Sequence, residues 1–164
     1  MPHTRTQTSL ESAPMEPGVP SEFQTFAVKP QLLKEGKTST RLVRTDHLNS
    51  GVQVVATGGE TNLHAHSSQD EIWFVLSGAA TFYTEGDRIV ARLGQHEGLL
   101  IPHNAAYWFE SSSEENLVIL RFGASVPEAG PDRRIDLQER KWAVSGEPGG
   151  APREVVFAED RVDA

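Results

Sequence analysis

The chain has 164 residues, no cysteine and a formal net charge of −8, which is the length of one domain with a substantial core and excludes disulfides, thiolate metal sites and cysteine nucleophiles. The acidic balance disfavours broad attraction to nucleic acid or to an anionic membrane. Residues 1–21 lack the apolar core of a signal peptide and no stretch approaches the roughly 18 apolar residues of a membrane span, so a soluble cytoplasmic protein with neither nucleic-acid nor membrane partners is expected.

Residues 1–22 are rich in Pro, Ser and Thr, with little apolar surface to bury, and read as a disordered arm. Residues 23–37 read as an edge strand or loop leading into a barrel over 23–123. From about Thr38, short β-favouring runs alternate with Gly-rich or polar turns: Thr40–Arg44, Val52–Ala56, Ile72–Leu76, Ala80–Tyr83, Arg88–Arg92, Leu99–Ile101, Tyr107–Phe109 and Asn116–Leu120. That rhythm argues for an all-β sandwich or barrel. Residues 124–164 hold two breaker-rich stretches, around Pro127–Pro131 and Gly146–Pro152. Trp142 and Val155–Phe157 give this extension apolar residues to pack on the barrel or on a second subunit.

Chemistry concentrates between Gly58 and Gly78, which read Gly-x5-His-x-His-x4-Glu-x6-Gly. His64 and His66 are two apart, so on a strand they share a face. A turn through Ser67–Asp70 would fold Glu71 back beside them. Two imidazoles and a carboxylate could then share one metal ion. Inward-facing groups of this kind are costly to bury without a cation or dense hydrogen bonding.

This spacing closely resembles the first motif of the cupin superfamily, small antiparallel β-barrels that commonly hold a divalent metal among inward-facing side chains. It matches at Gly58, His64, His66, Glu71 and Gly78. The second cupin motif, roughly Gly-x5-Pro-x-Gly-x2-His-x3-Asn, has its counterpart in His96–Ser111. Pro102 is in place, whereas His96 and Asn104 stand at the two glycine positions and Ser111 at the final asparagine. Tyr107 stands where the family usually supplies its last metal-binding histidine. Asparagine tolerates the left-handed backbone better than most residues, so Asn104 should preserve the turn. A phenol is a poorer ligand than imidazole unless a metal or nearby cation favours phenolate.

The resemblance implies a single antiparallel, jelly-roll-like cupin barrel with terminal extensions. It also implies one divalent metal ion held by His64, His66 and Glu71, with zinc or iron favoured and manganese, nickel or cobalt as further candidates. Tyr107 is a candidate extra ligand or the catalytic acid/base. His96 and His103 are the weaker candidates for a third imidazole. In alternating register Glu71, Trp73 and Val75 face inward, as do Tyr107 and Phe109, so Trp73 and Phe109 would wall a substrate pocket or simply fill the core. Arg44, Arg92 and Arg121 lie on strands, where one could neutralise a substrate carboxylate. The two-His, one-carboxylate set suits catalytic zinc or non-haem Fe(II). The resulting expectation is a metal-dependent enzyme for a small polar or aromatic metabolite, with isomerase, lyase, cyclase or dioxygenase chemistry. The opposing one is a non-catalytic metabolite-binding barrel or an accessory domain for a partner enzyme. Strand Ile72–Leu76 is apolar on both faces and needs two covers, which leads to the expectation of a homodimer.

Overall fold

Strand-forming runs and turn residues become, in a computed structural model that describes residues 23–58 and 60–139, an antiparallel all-β structure. The strands are β1 (Lys37–Arg44), β2 (Leu48–Val55), β3 (His64–His66), β4 (Gln69–Ser77), β5 (Ala80–Thr84), β6 (Arg88–Leu93), β7 (Gly98–Ile101), β8 (Trp108–Ser111), β9 (Leu117–Ser125) and β10 (Arg134–Asp136). A five-stranded sheet in the order β1-β2-β9-β4-β7 faces a three-stranded sheet in the order β6-β5-β8, and β3 pairs with β10. This is the expected single jelly-roll-like barrel. Residues 23–36 lead into it without a strand of their own. The arm read over 1–22, and Trp142 and Val155–Phe157, lie outside the described residues. No helix among the described residues is long and apolar enough to cross a membrane.

Period-two alternation divides the apolar residues into two layers. Between the sheets, Val55, Trp73, Val75, Leu117 and Ile119 meet Ala80, Phe82, Leu93, Tyr107 and Phe109. The three rings Trp73, Phe82 and Phe109 stack obliquely at centroid distances of 4.9–6.3 Å. Each such buried side chain stabilises the fold by roughly 1.5–3 kcal/mol through apolar burial. Outside the five-stranded sheet, Val52, Val54, Val118 and Leu120 are covered by Val28 and Leu33 from the N-terminal segment, with Leu42, Phe74, Leu76 and Phe122 packed beside them. Part of the second cover for β4 therefore comes from within the chain. Ile72 and its cross-strand neighbour Leu100 stay open, 45% and 62% exposed.

The inner face is not apolar throughout. Toward β1 it turns polar: Lys37, Ser39, Arg41 and Arg44 of β1 stand opposite Val55, Gln53, Gly51 and Asn49 of β2. A β-bulge between Arg41 and Val43 keeps Arg44 on the same face as Arg41. This polar half is the wall of an open cavity of about 1140 Å³ that reaches the two histidines.

Candidate functional site

β3 is only three residues long, and its neighbours fix it on both edges. His64 exchanges backbone hydrogen bonds with Tyr107, at 3.0 Å from its N–H and 2.9 Å to its carbonyl. On the other edge β10 pairs Arg134 with His66 and Asp136 with His64. The turn after Pro102 is tied in as well, since the Asn104 N–H donates to the His66 carbonyl at 2.7 Å. Asn104 has φ 63° and His96 φ 66°, so both positions where the family motif has glycine do adopt the left-handed backbone. Asn104 serves the turn as expected.

Both histidines are anchored through Nδ1. His64 Nδ1 lies 2.7 Å from the Asn62 carbonyl and His66 Nδ1 lies 2.8 Å from Asp132 Oδ2. A carbonyl or carboxylate oxygen can only accept, so each Nδ1 carries a proton. Burial, reinforced by the charge of Arg134, lowers His64 to about 3, with the Asn62 carbonyl opposing the shift. His64 is therefore a neutral imidazole at neutral pH. Both side chains line the cavity.

Glu71, at the start of β4, is 1% exposed. Its Oε2 accepts from the Tyr107 hydroxyl at 2.5 Å, and its Oε1 accepts from Arg121 Nε at 2.5 Å and also pairs with Arg121 Nη2. His66 Nε2 lies 3.5 Å from the same Oε1. Arg121, on β9 directly across from Trp73, also donates to Asn49 Oδ1 at 3.0 Å and to Gln69 Oε1. The Tyr107 hydroxyl accepts from Trp73 Nε1 at 3.3 Å. Burial, the Glu71 charge and the hydrogen bond to Glu71 push the Tyr107 phenol well above its ordinary range, so it stands here as a neutral donor.

The structure thus brings His64, His66, Glu71 and Tyr107 together, with the His64 and Tyr107 rings 4.4 Å apart and the two imidazoles 5.6 Å apart. Trp73 and Phe109 are buried and line the same cavity. Trp108 turns the other way and stacks on Tyr83 at 4.1 Å. His103 is held by Asp70, whose carboxylate lies 2.8 Å from its ring and accepts its backbone N–H. His96 stacks on Phe74 instead. Two participants, Asp132 and Asp136, carry no sequence signal, since they follow the breaker-rich stretch without motif or periodicity. Arg121, one of three arginines that could have met a substrate carboxylate, is instead paired with Glu71.

The donor chemistry fits a divalent ion in part. Two imidazoles with anchored Nδ1 atoms are the arrangement that metal-binding histidines use. Glu71 has the right position but a carboxylate engaged by Arg121 and Tyr107. Among the described residues no three His, Asp or Glu side chains already converge as a ligand cluster. A metal would therefore have to draw Glu71 from the guanidinium.

Comparison with known proteins agrees with this architecture. No curated protein matches the sequence. Among solved structures, a conserved protein with a double-stranded β-helix domain from Klebsiella pneumoniae superposes with a TM-score of 0.57 at 16% identity, over 70% of this chain and 99% of that one. An RmlC-like cupin from Desulfovibrio desulfuricans gives 0.55 at 13% identity, over 63% and 97% of the two chains. A cupin-like protein from Thermotoga maritima gives 0.52 at 20% identity, over 63% and 79%. These likenesses speak for the fold. Residues 51–122, from β2 through most of β9, match the cupin domain family, so the barrel that these residues build is a cupin domain.

Proposed function

We propose that this is a metal-dependent cupin enzyme acting on a small polar or aromatic metabolite, with one divalent ion held by His64, His66 and Glu71. The observation that carries the reading is the double Nδ1 anchoring, which leaves Nε2 of both imidazoles for a ligand. Zinc or Fe(II) bound there would supply Lewis-acid polarisation of a substrate oxygen. The chain's own groups do the rest. Tyr107 donates a hydrogen bond to Glu71 at 2.5 Å and would turn that proton toward developing negative charge, the role of a general acid. Trp73 and Phe109 form an apolar floor that keeps water from one side of the reacting centre. Proton movement beside a polarised oxygen suits isomerisation, elimination or rearrangement.

The Glu71–Arg121 ion pair favours a second reading, a metal-free barrel that binds a metabolite without turning it over. Metal analysis of protein purified without added metal separates the two. Stoichiometric zinc or iron, lost in His64→Ala, supports the metal centre; metal retained at full occupancy in that variant overturns the ligand assignment. Tyr107→Phe should keep the fold and weaken metal binding or turnover. The open Ile72 and Leu100 pair also supports assembly as a homodimer, for which a monomeric mass by light scattering would be decisive against.

A further inference from the structure

The cavity is cationic in a chain of net charge −8. Its lining carries Lys37, Arg41, Arg44, Arg121 and Arg134 against Asp46 and Asp132. Arg121 is offset by Glu71 and Arg134 by Asp136. Arg41 and Arg44 are exposed, and neither guanidinium has a hydrogen-bond or ion-pair partner among the described residues. Positions 41 and 44 would point to opposite faces of a regular strand. The bulge after Arg41 puts both on the inner face, opposite Gly51 and Asn49. Gly51 is also opposite Arg121, so the floor between Arg41 and Arg121 has no side chain across a gap of about 10 Å, two strand spacings. Beside it on the same face, Gln53 lines the cavity with its Oε1 buried and unpartnered among the described residues. Unpaired guanidinia and an unspent amide on one wall await acceptors and a hydrogen-bonding partner.

We propose that this wall binds a small organic acid with two or more carboxylates, held by Arg41 and Arg44 and reaching Gln53. The inference rests on the reading of the barrel as a small-molecule site, and it names the substrate class without depending on the metal. Guanidinium–carboxylate contacts are bidentate and charge-assisted, so affinity should rise with the number of carboxylates and fall with salt.

The test is calorimetric titration of chelator-treated full-length protein with tricarballylate, glutarate, acetate and, as a neutral control, glycerol. One site is expected, with tricarballylate tighter than glutarate, glutarate tighter than acetate, and no heat from glycerol. Arg41→Gln/Arg44→Gln should weaken tricarballylate at least tenfold with an unchanged melting temperature. Arg88→Gln/Arg92→Gln removes the same charge from exposed positions on β6, outside the cavity, and should leave binding intact. Absence of carboxylate binding in the wild type, or equal loss in the two double variants, overturns the proposal. Zinc titration of the Arg41→Gln/Arg44→Gln protein, expected to match wild type, tests the metal centre separately. Either reading can therefore fail while the other stands.

Discussion

Replacing Arg121 with leucine isolates the charge on which Glu71 relies. The carboxylate is 1% exposed and the Arg121 side chain 22% exposed. Tyr107, the other hydrogen-bond donor, is neutral. Removing one partner of a buried ion pair costs about 3–5 kcal/mol, because the remaining charge is left uncompensated. Partial exposure of the guanidinium places Arg121→Leu at the lower end, about 3 kcal/mol. In a chain of this size each kcal/mol moves Tm by about 2–4 °C, so calorimetry of chelator-treated protein should show a fall of about 6–12 °C. Two further measurements bind this number to the ion pair. Glu71→Gln combined with Arg121→Leu removes the stranded charge and should recover at least half of the loss. Saturating zinc should raise Tm more in Arg121→Leu than in wild type, because ion and guanidinium compete for the same carboxylate oxygens. A Tm within about 2 °C of wild type, or a zinc-induced rise no larger than the wild type's, refutes the reasoning.

Asp132 should act as a positioning residue for His66. Asp132→Ala removes the acceptor at 2.8 Å from Nδ1 and is expected to weaken zinc binding about 10–100-fold with the fold retained, measured by competition titration and circular dichroism; unchanged zinc affinity would remove Asp132 from the site. The two glycines that bound the histidine motif should differ in cost. Gly58 has φ 73° and open space around it, so Gly58→Ala should cost about 1–2 kcal/mol from the left-handed backbone alone. At Gly78, φ 76°, a Cβ would also stand 2.8 Å from the Asn116 carbonyl oxygen and 2.9 Å from Leu117 Cα. Gly78→Ala should therefore exceed Gly58→Ala in urea denaturation, and equal losses would mean that the backbone around Asn116 yields.

The legible part of the protein is the part written in local patterns. Strands β4, β5, β6, β7 and β9 follow from β-favouring runs punctuated by turns, and the inward phase of Glu71, Trp73 and Val75 follows from period two. The position of Tyr107 was legible from its distance to Pro102. β10 was not, because Arg134–Ile135–Asp136 is too short to carry a period and its pairing with β3 is set by tertiary contact. The same reason hid Asp132, 66 residues from the histidine it holds. The β1 bulge was hidden too: Arg41 and Arg44 are three apart, which by simple alternation assigns them to opposite faces.

Charge balance around Glu71 links the two proposed occupants of the cavity. Without a metal, the buried Glu71 carboxylate and the Arg121 guanidinium offset one another as an ion pair. A divalent ion that takes Glu71 leaves Arg121 as a cation without its acid, and adds charge of its own inside a barrel where charges are poorly screened. A bound carboxylate relieves that excess, so ion and organic acid should favour each other. Linkage requires the effect to be reciprocal, and couplings of this kind are typically 1–3 kcal/mol, or about 5–150-fold in affinity. Glutarate titrated into zinc-loaded protein should therefore bind at least about fivefold more tightly than into chelator-treated protein, and zinc should gain by the same factor with glutarate present. In Arg121→Leu the coupling should shrink, since one of the stranded cations is gone. Identical glutarate affinity with and without zinc would mean that Arg121 keeps Glu71 when the ion is bound, and that the carboxylate is not among its ligands.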